Sequence, residues 1–177
     1  MRSNRENATV VRGDVAVNQY QKDDLDILFV DDKLEHLEKF IKLFRAKDIR
    51  NRIQSVTDGE HALDYLFQRK MFADRKRYPM PGLVILDIRL PRLSGIDVLK
   101  IVKSNMRLRT IPIIILSEIS NREKIWQSYW LGVNSYIIKP PTEDAFASVI
   151  ERIAHYWFGM NQLPNVFKQQ VIDRYVE

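Results

Sequence analysis

"PGLVILDIRLPRLSG", residues 81–95, decides the fold. The unbroken apolar run Leu83-Val84-Ile85-Leu86 ends at a carboxylate, Asp87, and a proline-containing turn follows. A strand with one face in water alternates apolar and polar residues, whereas a strand covered on both faces is apolar throughout. The run therefore predicts a central strand of a parallel sheet, with Asp87 fixed at its carboxyl tip. Ile113-Ile114-Ile115-Leu116 repeats the pattern and ends at Ser117.

The flanking segments supply the partners of those strands. Leu25–Val30 predicts a strand stopped by Asp31-Asp32. Leu34, Leu37, Phe40, Ile41 and Phe44 recur at three- and four-residue spacings, the signature of a helix with one apolar face. Arg52–Thr57 predicts a short strand, and Glu60–Gln68 a helix with Ala62, Leu63, Leu66 and Phe67 turned inward. A Lys/Arg-rich connection then runs to Pro79-Met80-Pro81. Beyond Asp87, helices are expected over Ile96–Ser104 and Glu123–Leu131, and strands over Pro112–Ser117 and Ser135–Ile138. Thr142 opens a long helix to about Phe158. Five strand–helix repeats imply a parallel sheet with helices on both faces. The expected division is an arm over 1–24, a domain over 25–158, and a tail over 159–177 that begins near the break at Leu163-Pro164.

The chain has 177 residues, 45% of them hydrophobic and 29% charged, which suits one domain with extensions. Twenty-eight basic and 23 acidic residues leave a net charge of +5. Much of the excess sits in Arg69, Lys70, Arg75, Lys76 and Arg77, in or beside a polar connection, and no nucleic-acid motif accompanies it. No nucleic-acid partner is expected. The absence of cysteine excludes disulfides, thiolate catalysis and cysteine-type zinc sites. Met1–Lys22 lacks an apolar core of signal-peptide length, and no stretch approaches a membrane span. A cytoplasmic protein without a membrane partner is expected.

In an open α/β sheet, function collects beyond the carboxyl ends of the strands. The polar residues there are Asp31 and Asp32, then Asp87, Ser117 and Lys139. With the first and third strands adjacent, the three carboxylates converge and repel one another unless a cation neutralises them. An oxygen-only pocket of this kind suits Mg²⁺. A lysine and a hydroxyl at the rim suit the oxygens of a phosphoryl group. Asp87 then reads as a fixed nucleophile beside a metal. Each residue taken alone has a plainer reading. Asp32 with Glu35 fits a capping box for the first helix, and Ser120 with Glu123 fits one for the fourth. His36, His61 and His155 lie on expected helices without metal-ligand pairing and read as surface or packing residues. The joint order of the strand-end residues outweighs the plainer readings.

The motifs "ILFVDD", "DGEHALDYL", "LVILDIRLPRLSGIDVLK", "IPIIILS" and "GVNSYIIKPP" together make residues 25–158 resemble the receiver domain of two-component response regulators. The segment "HYWFGMNQLP" is similar to single-domain regulators that partner bacterial phytochrome histidine kinases. The resemblance implies a flavodoxin-like (βα)5 fold and a non-enzymatic switch. Asp87 would accept a phosphoryl group from a sensor histidine kinase. Asp31, Asp32, Asp87 and the carbonyl of Arg89 would hold Mg²⁺. Lys139 and Ser117 would take phosphoryl oxygens, Tyr136 would turn inward behind Ser117, and Lys139-Pro140 would be cis. The output would be a shift of the face built from the fourth helix, fifth strand and fifth helix. The broad apolar set Phe146, Val149, Ile150, Ile153, Ala154, Tyr156, Trp157 and Phe158 is compatible with a homodimer through that face, or with a tail folded over it.

Three positions depart from the family pattern or tune it. Glu118 stands where a small residue is usual. Arg89 and Ile119 occupy positions that modulate phosphoryl lifetime. Glu118 either stands free at the pocket mouth or pairs with Arg89. A non-phosphorylated interaction module is the competing function. A phosphohydrolase would need acids that Arg89 and the Asp31-Asp32 spacing do not supply, and a DNA-binding regulator would need more chain after Phe158.

Overall fold

The computed structural model describes residues 26–46, 51–161 and 163. The arm expected over 1–24 and most of the tail expected over 159–177 lie outside the described residues. Five parallel strands form one sheet in the order β2-β1-β3-β4-β5. They are β1 (Ile27–Val30), β2 (Ile53–Val56), β3 (Leu83–Leu86), β4 (Ile113–Ser117) and β5 (Ser135–Ile138). The helices are α1 (Leu34–Ala46), α2 (Gly59–Leu66), α3 (Gly95–Ser104), α4 (Arg122–Trp130) and α5 (Glu143–Ala154). Every residue of β1, β3 and β4 is buried, as their unbroken apolar runs require, while the edge strands β2 and β5 are mostly half-buried.

Alternate residues of each central strand feed two cores. Leu28, Val30, Val84 and Leu86 pack with α2 and α3, and Ile27, Phe29, Leu83 and Ile85 pack with α1 and α5. The strand order reverses between β1 and β3, which opens a crevice beyond their carboxyl ends. Val30 stands opposite Leu86, so Asp31 and Asp87 emerge side by side. Asp87 N donates to Val30 O at 2.9 Å and fixes that tip.

The loop after Asp87 is clamped from two sides. A Cβ on Gly95 would lie 2.0 Å from the Asp87 carbonyl oxygen, so only glycine lets α3 press against the strand tip. Asp58 caps α2 and also takes bonds from the His61 ring and from Arg92, which sits at φ +65°. Burial pushes the Asp58 carboxyl up, but the bonds from His61 and Arg92 outweigh burial and hold it below its ordinary value. His61 is therefore part of this clamp rather than a plain surface residue.

Several local expectations change. Leu34, expected on the apolar face of the first helix, is 63% exposed at its first turn. The helix opens at Leu34, so Asp32 does not cap its first turn and stays exposed at the crevice. Asn121, not Ser120, caps α4, accepting from Lys124 N at 3.1 Å. Thr142 caps α5 as expected. The α-helical part of α5 stops at Ala154 and continues as a π-helical segment, His155–Met160. That wider turn re-aims the side chains, burying Trp157 and leaving Tyr156 half exposed. Phe146, Ile150, Ile153, Ala154 and Trp157 all join the core, with Val149 and Phe158 packed against them. The breadth of the α5 apolar set is thus largely spent inside the domain. No cis peptide bond occurs among the described residues, so Lys139-Pro140 is trans. Trans is the lower-energy form of an X–Pro bond, and Lys139 reaches its partners from it.

The aromatic surface lies on α4 instead. Trp126, Tyr129 and Trp130 are 64%, 53% and 76% exposed. The two indoles stack with centroids 5.4 Å apart. Ser128 is the one fully buried residue of this helix.

Candidate functional site

The crevice gathers the expected residues from four loops. Asp31, Asp32 and Asp87 offer oxygens that all lie within 4.8 Å of one another. Asp31 and Asp87 are buried and Asp32 is exposed. Lys139 Nζ donates to Asp31 Oδ2 and to Asp87 Oδ2, both at 2.7 Å, with its side chain only 3% exposed. Ser117 Oγ donates to Asp87 Oδ1 at 2.6 Å, and Arg89 N donates to the same oxygen at 3.2 Å. Both oxygens of Asp87 are therefore held by donors. A buried carboxylate requires this, because an unpaired buried charge costs several kcal/mol. Three carboxylates face one ammonium, so the pocket has charge to spare for a divalent cation, and its all-oxygen acids match a hard ion.

A second layer of charge closes the mouth. Glu118 takes bonds from Lys33 Nζ at 2.9 Å and from the Arg89 guanidinium. The strap joins the loops after β1, β3 and β4. The hydrogen bond from Lys33 is the main influence holding the Glu118 carboxyl below its ordinary range, with the Arg89 charge adding to it. Of the two readings open for Glu118, pairing with Arg89 is the observed one, and Lys33 is an unforeseen third member. All three side chains remain about half exposed.

Behind the pocket, Tyr136 OH donates to Ile119 O at 2.7 Å, so the ring is tied to the β4–α4 loop. Burial raises the Tyr136 phenol, and the charge of Asp87 adds to that. Ile119 packs its side chain against the α2/α3 core.

His36 is the residue that sequence reasoning missed. Its Nδ1 lies 2.9 Å from Asp31 Oδ2 and 3.1 Å from Asp31 Oδ1. It is not a plain surface residue, because the first turn of the helix after β1 sits directly over the strand tips. That position, five residues beyond Asp31, was the available signal. On the α5 side, His36, Lys39, Lys139, Thr142, Glu143 and Phe146 line a cavity of about 550 Å³.

Comparisons with known proteins identify the fold and the family. The model of the response regulator receiver domain matches residues 9–151. The probable methanogenesis regulatory protein FilR2 of Methanothrix harundinacea is 34% identical, over 81% of this chain and 90% of that protein. The Mn²⁺-bound crystal structure of response regulator Rcp1 superposes with a TM-score of 0.75 at 27% identity, covering 79% of this chain and 99% of that one; Rcp1 is a Synechocystis protein. The phosphorylated cyanobacterial phytochrome response regulator RcpA gives a TM-score of 0.75 at 29% identity, covering 80% and 99%. A sheet that brings three acids, a serine and a lysine to one crevice, and a family match across most of the chain, lead to one conclusion: this chain belongs to the response regulator receiver domain family, beside relatives that include phytochrome response regulators.

Proposed function

We propose that the chain is a phospho-accepting switch in which Asp87 takes a phosphoryl group from a phosphohistidine on a sensor histidine kinase of the phytochrome type. The observation that carries this reading is the double grip on Asp87, with Lys139 on one oxygen and Ser117 and the Arg89 amide on the other. A carboxylate oxygen of Asp87 attacks phosphorus, the P–N bond to the donor imidazole breaks, and its electron pair leaves with that nitrogen. Such a transfer depends on in-line placement and charge neutralisation more than on covalent machinery. Asp31, Asp32, Asp87 and the Arg89 carbonyl would hold Mg²⁺, which would supply much of that neutralisation. Lys139 moves from the carboxylates to a phosphoryl oxygen, and Ser117 exchanges Asp87 Oδ1 for another.

That exchange links the site to a distant surface. A shift of Ser117 at the end of β4 pulls on the loop carrying Glu118 and Ile119, and Ile119 O is bonded to Tyr136. Tyr136 then settles inward and α4 moves. The output is binding rather than catalysis, by a cytoplasmic protein whose domain spans 25–158 with extensions at 1–24 and 159–177. Homodimerisation uses the α4–β5–α5 face, with Trp126, Tyr129 and Trp130 as aromatic anchors.

Beryllofluoride, which mimics an aspartyl phosphate, tests the reading. Adding it with Mg²⁺ should change tryptophan emission saturably, and light scattering on the same samples should show a dimer. No change in emission would favour a non-phosphorylated interaction module, and a monomer in every sample would remove the dimer.

The strap sets a further expectation. Glu118→Ala leaves Lys33 and Arg89 unpaired at the mouth, where an anionic phosphodonor enters. Exposed pairs contribute up to ~1 kcal/mol, so acetyl-phosphate labelling should accelerate about two- to fivefold at low salt and less at high salt. Because Arg89 shares the pair, Glu118→Ala and Arg89→Ala should combine non-additively. Additive rates would exclude a coupling between Glu118 and Arg89, and rates unchanged in every variant would remove Glu118 from the mechanism.

A further inference from the structure

We infer that His36 is a positioning residue: it holds Asp31 for the divalent ion, so that Lys139 can leave Asp31 for the phosphoryl group. The inference rests on the proposed function and deepens it at the same pocket.

The donors around Asp31 show why a second partner is needed. Oδ1 accepts from Lys33 N at 3.0 Å, and Oδ2 accepts from Lys139 Nζ at 2.7 Å. His36 Nδ1 lies within reach of both oxygens. Asp31 is buried, and if Lys139 were its only side-chain donor, departure of Lys139 would leave a carboxylate short of partners in a place water reaches poorly. Lys139 has two tasks that conflict, because the ammonium that neutralises Asp31 is also the cation a phosphoryl oxygen needs. With His36 in place, Asp31 keeps a side-chain donor when Lys139 departs.

The geometry also assigns the hydrogen. Asp31 only accepts and Lys139 only donates. A ring nitrogen pressed against both carboxylate oxygens therefore carries the hydrogen and donates to Asp31. Its 3.2 Å approach to Lys139 Nζ is then a meeting of two donors, not a bond. Two donors facing one another repel, which favours departure of Lys139 from Asp31 once the phosphoryl group arrives at Asp87. Phe146 of α5 stands against the other side of the ring, with centroids 5.8 Å apart, and limits its rotation. Partners of metal-binding carboxylates and histidines behave in this way in general: they fix the orientation of the ligand and so set affinity.

The test uses Mn²⁺ as the probe on the full chain at one pH, with free ion read by electron paramagnetic resonance. Thermal melts without metal accompany it. His36→Ala should bind Mn²⁺ about tenfold more weakly, in the range such outer partners show. His36→Asn places an amide N–H near the Nδ1 position and should bind close to wild type. His36→Gln places its amide near Nε2 and should remain weak. That Asn-against-Gln contrast separates positioning from mere packing, and it decides the matter even if His36→Ala does not fold. His36→Ala binding as tightly as wild type or more so, or Asn and Gln weakening equally, would overturn the inference and leave the metal site intact. Wild type failing to bind Mn²⁺ would instead overturn the site reading, and this inference with it.

Discussion

Asp87→Asn is expected to reduce hydroxylamine-labile phosphorylation by acetyl phosphate or a histidine kinase to background while the fold survives. An amide is a poor nucleophile toward phosphorus, and no second acid occupies the same strand tip. Asp31 and Asp32 lie on the neighbouring tip, where Lys139, Ser117 and the Arg89 amide do not converge together. The substitution fits most of the existing bonds. The amide oxygen can face Lys139, and the NH₂ can face Ser117, whose hydroxyl accepts as readily as it donates, at the loss of the longer bond from the Arg89 amide. One acid fewer also relieves repulsion within the trio. The melting temperature should therefore move by no more than a few degrees, equivalent to ~1 kcal/mol for a domain of this size. Stable label on Asp87→Asn at the wild-type level would sink the assignment.

Lys139→Met should have the largest effect on stability. The substitution keeps an unbranched chain of similar length and removes the charge from between two buried carboxylates. Removing one member of a buried ion pair costs ~3–5 kcal/mol, because the remaining charge is left uncompensated. The loss should be greatest with divalent ions chelated. Millimolar Mg²⁺ should recover part of it, since an ion that binds only the folded state stabilises by mass action. Phosphorylation should stay low even then, because a metal cannot take both its own place and that of the ammonium. Chemical denaturation in chelator and in Mg²⁺ would measure this. A methionine variant as stable as wild type in chelator would show that Lys139 does not hold the acids together.

Most of the fold was legible because burial on both faces leaves a plain mark. The runs 83–86 and 113–116 could only be central strands, and the strand order then forces Asp31 and Asp87 together. The site inherits that legibility, since Asp87, Ser117 and Lys139 each follow directly from a strand end. What escaped is contact between loops that no periodicity records. Lys33 and Glu118 are 85 positions apart and meet only through long, half-exposed side chains. His36 sits on a helix whose apolar stripe says nothing about its first turn, and that turn projects over the pocket. The exposed aromatics of α4 escaped for another reason. That helix was expected over Glu123–Leu131 with no inward face assigned, and it buries Ser128 and presents two stacked indoles outward. On α5 much of the broad apolar set is taken up by the core, because a π-helical segment turns Trp157 inward.

The central claim is that a phosphoryl group resides on Asp87. The full chain, treated with acetyl phosphate and Mg²⁺, can be reduced with borohydride, which converts an aspartyl phosphate to homoserine and leaves free aspartate unchanged. Peptide mass spectrometry of the reduced chain then locates the residue. The expected result is homoserine at position 87 alone, absent when Mg²⁺ is chelated. Homoserine at Asp31 or Asp32, or a phosphorylated chain with Asp87 unconverted, would contradict the account.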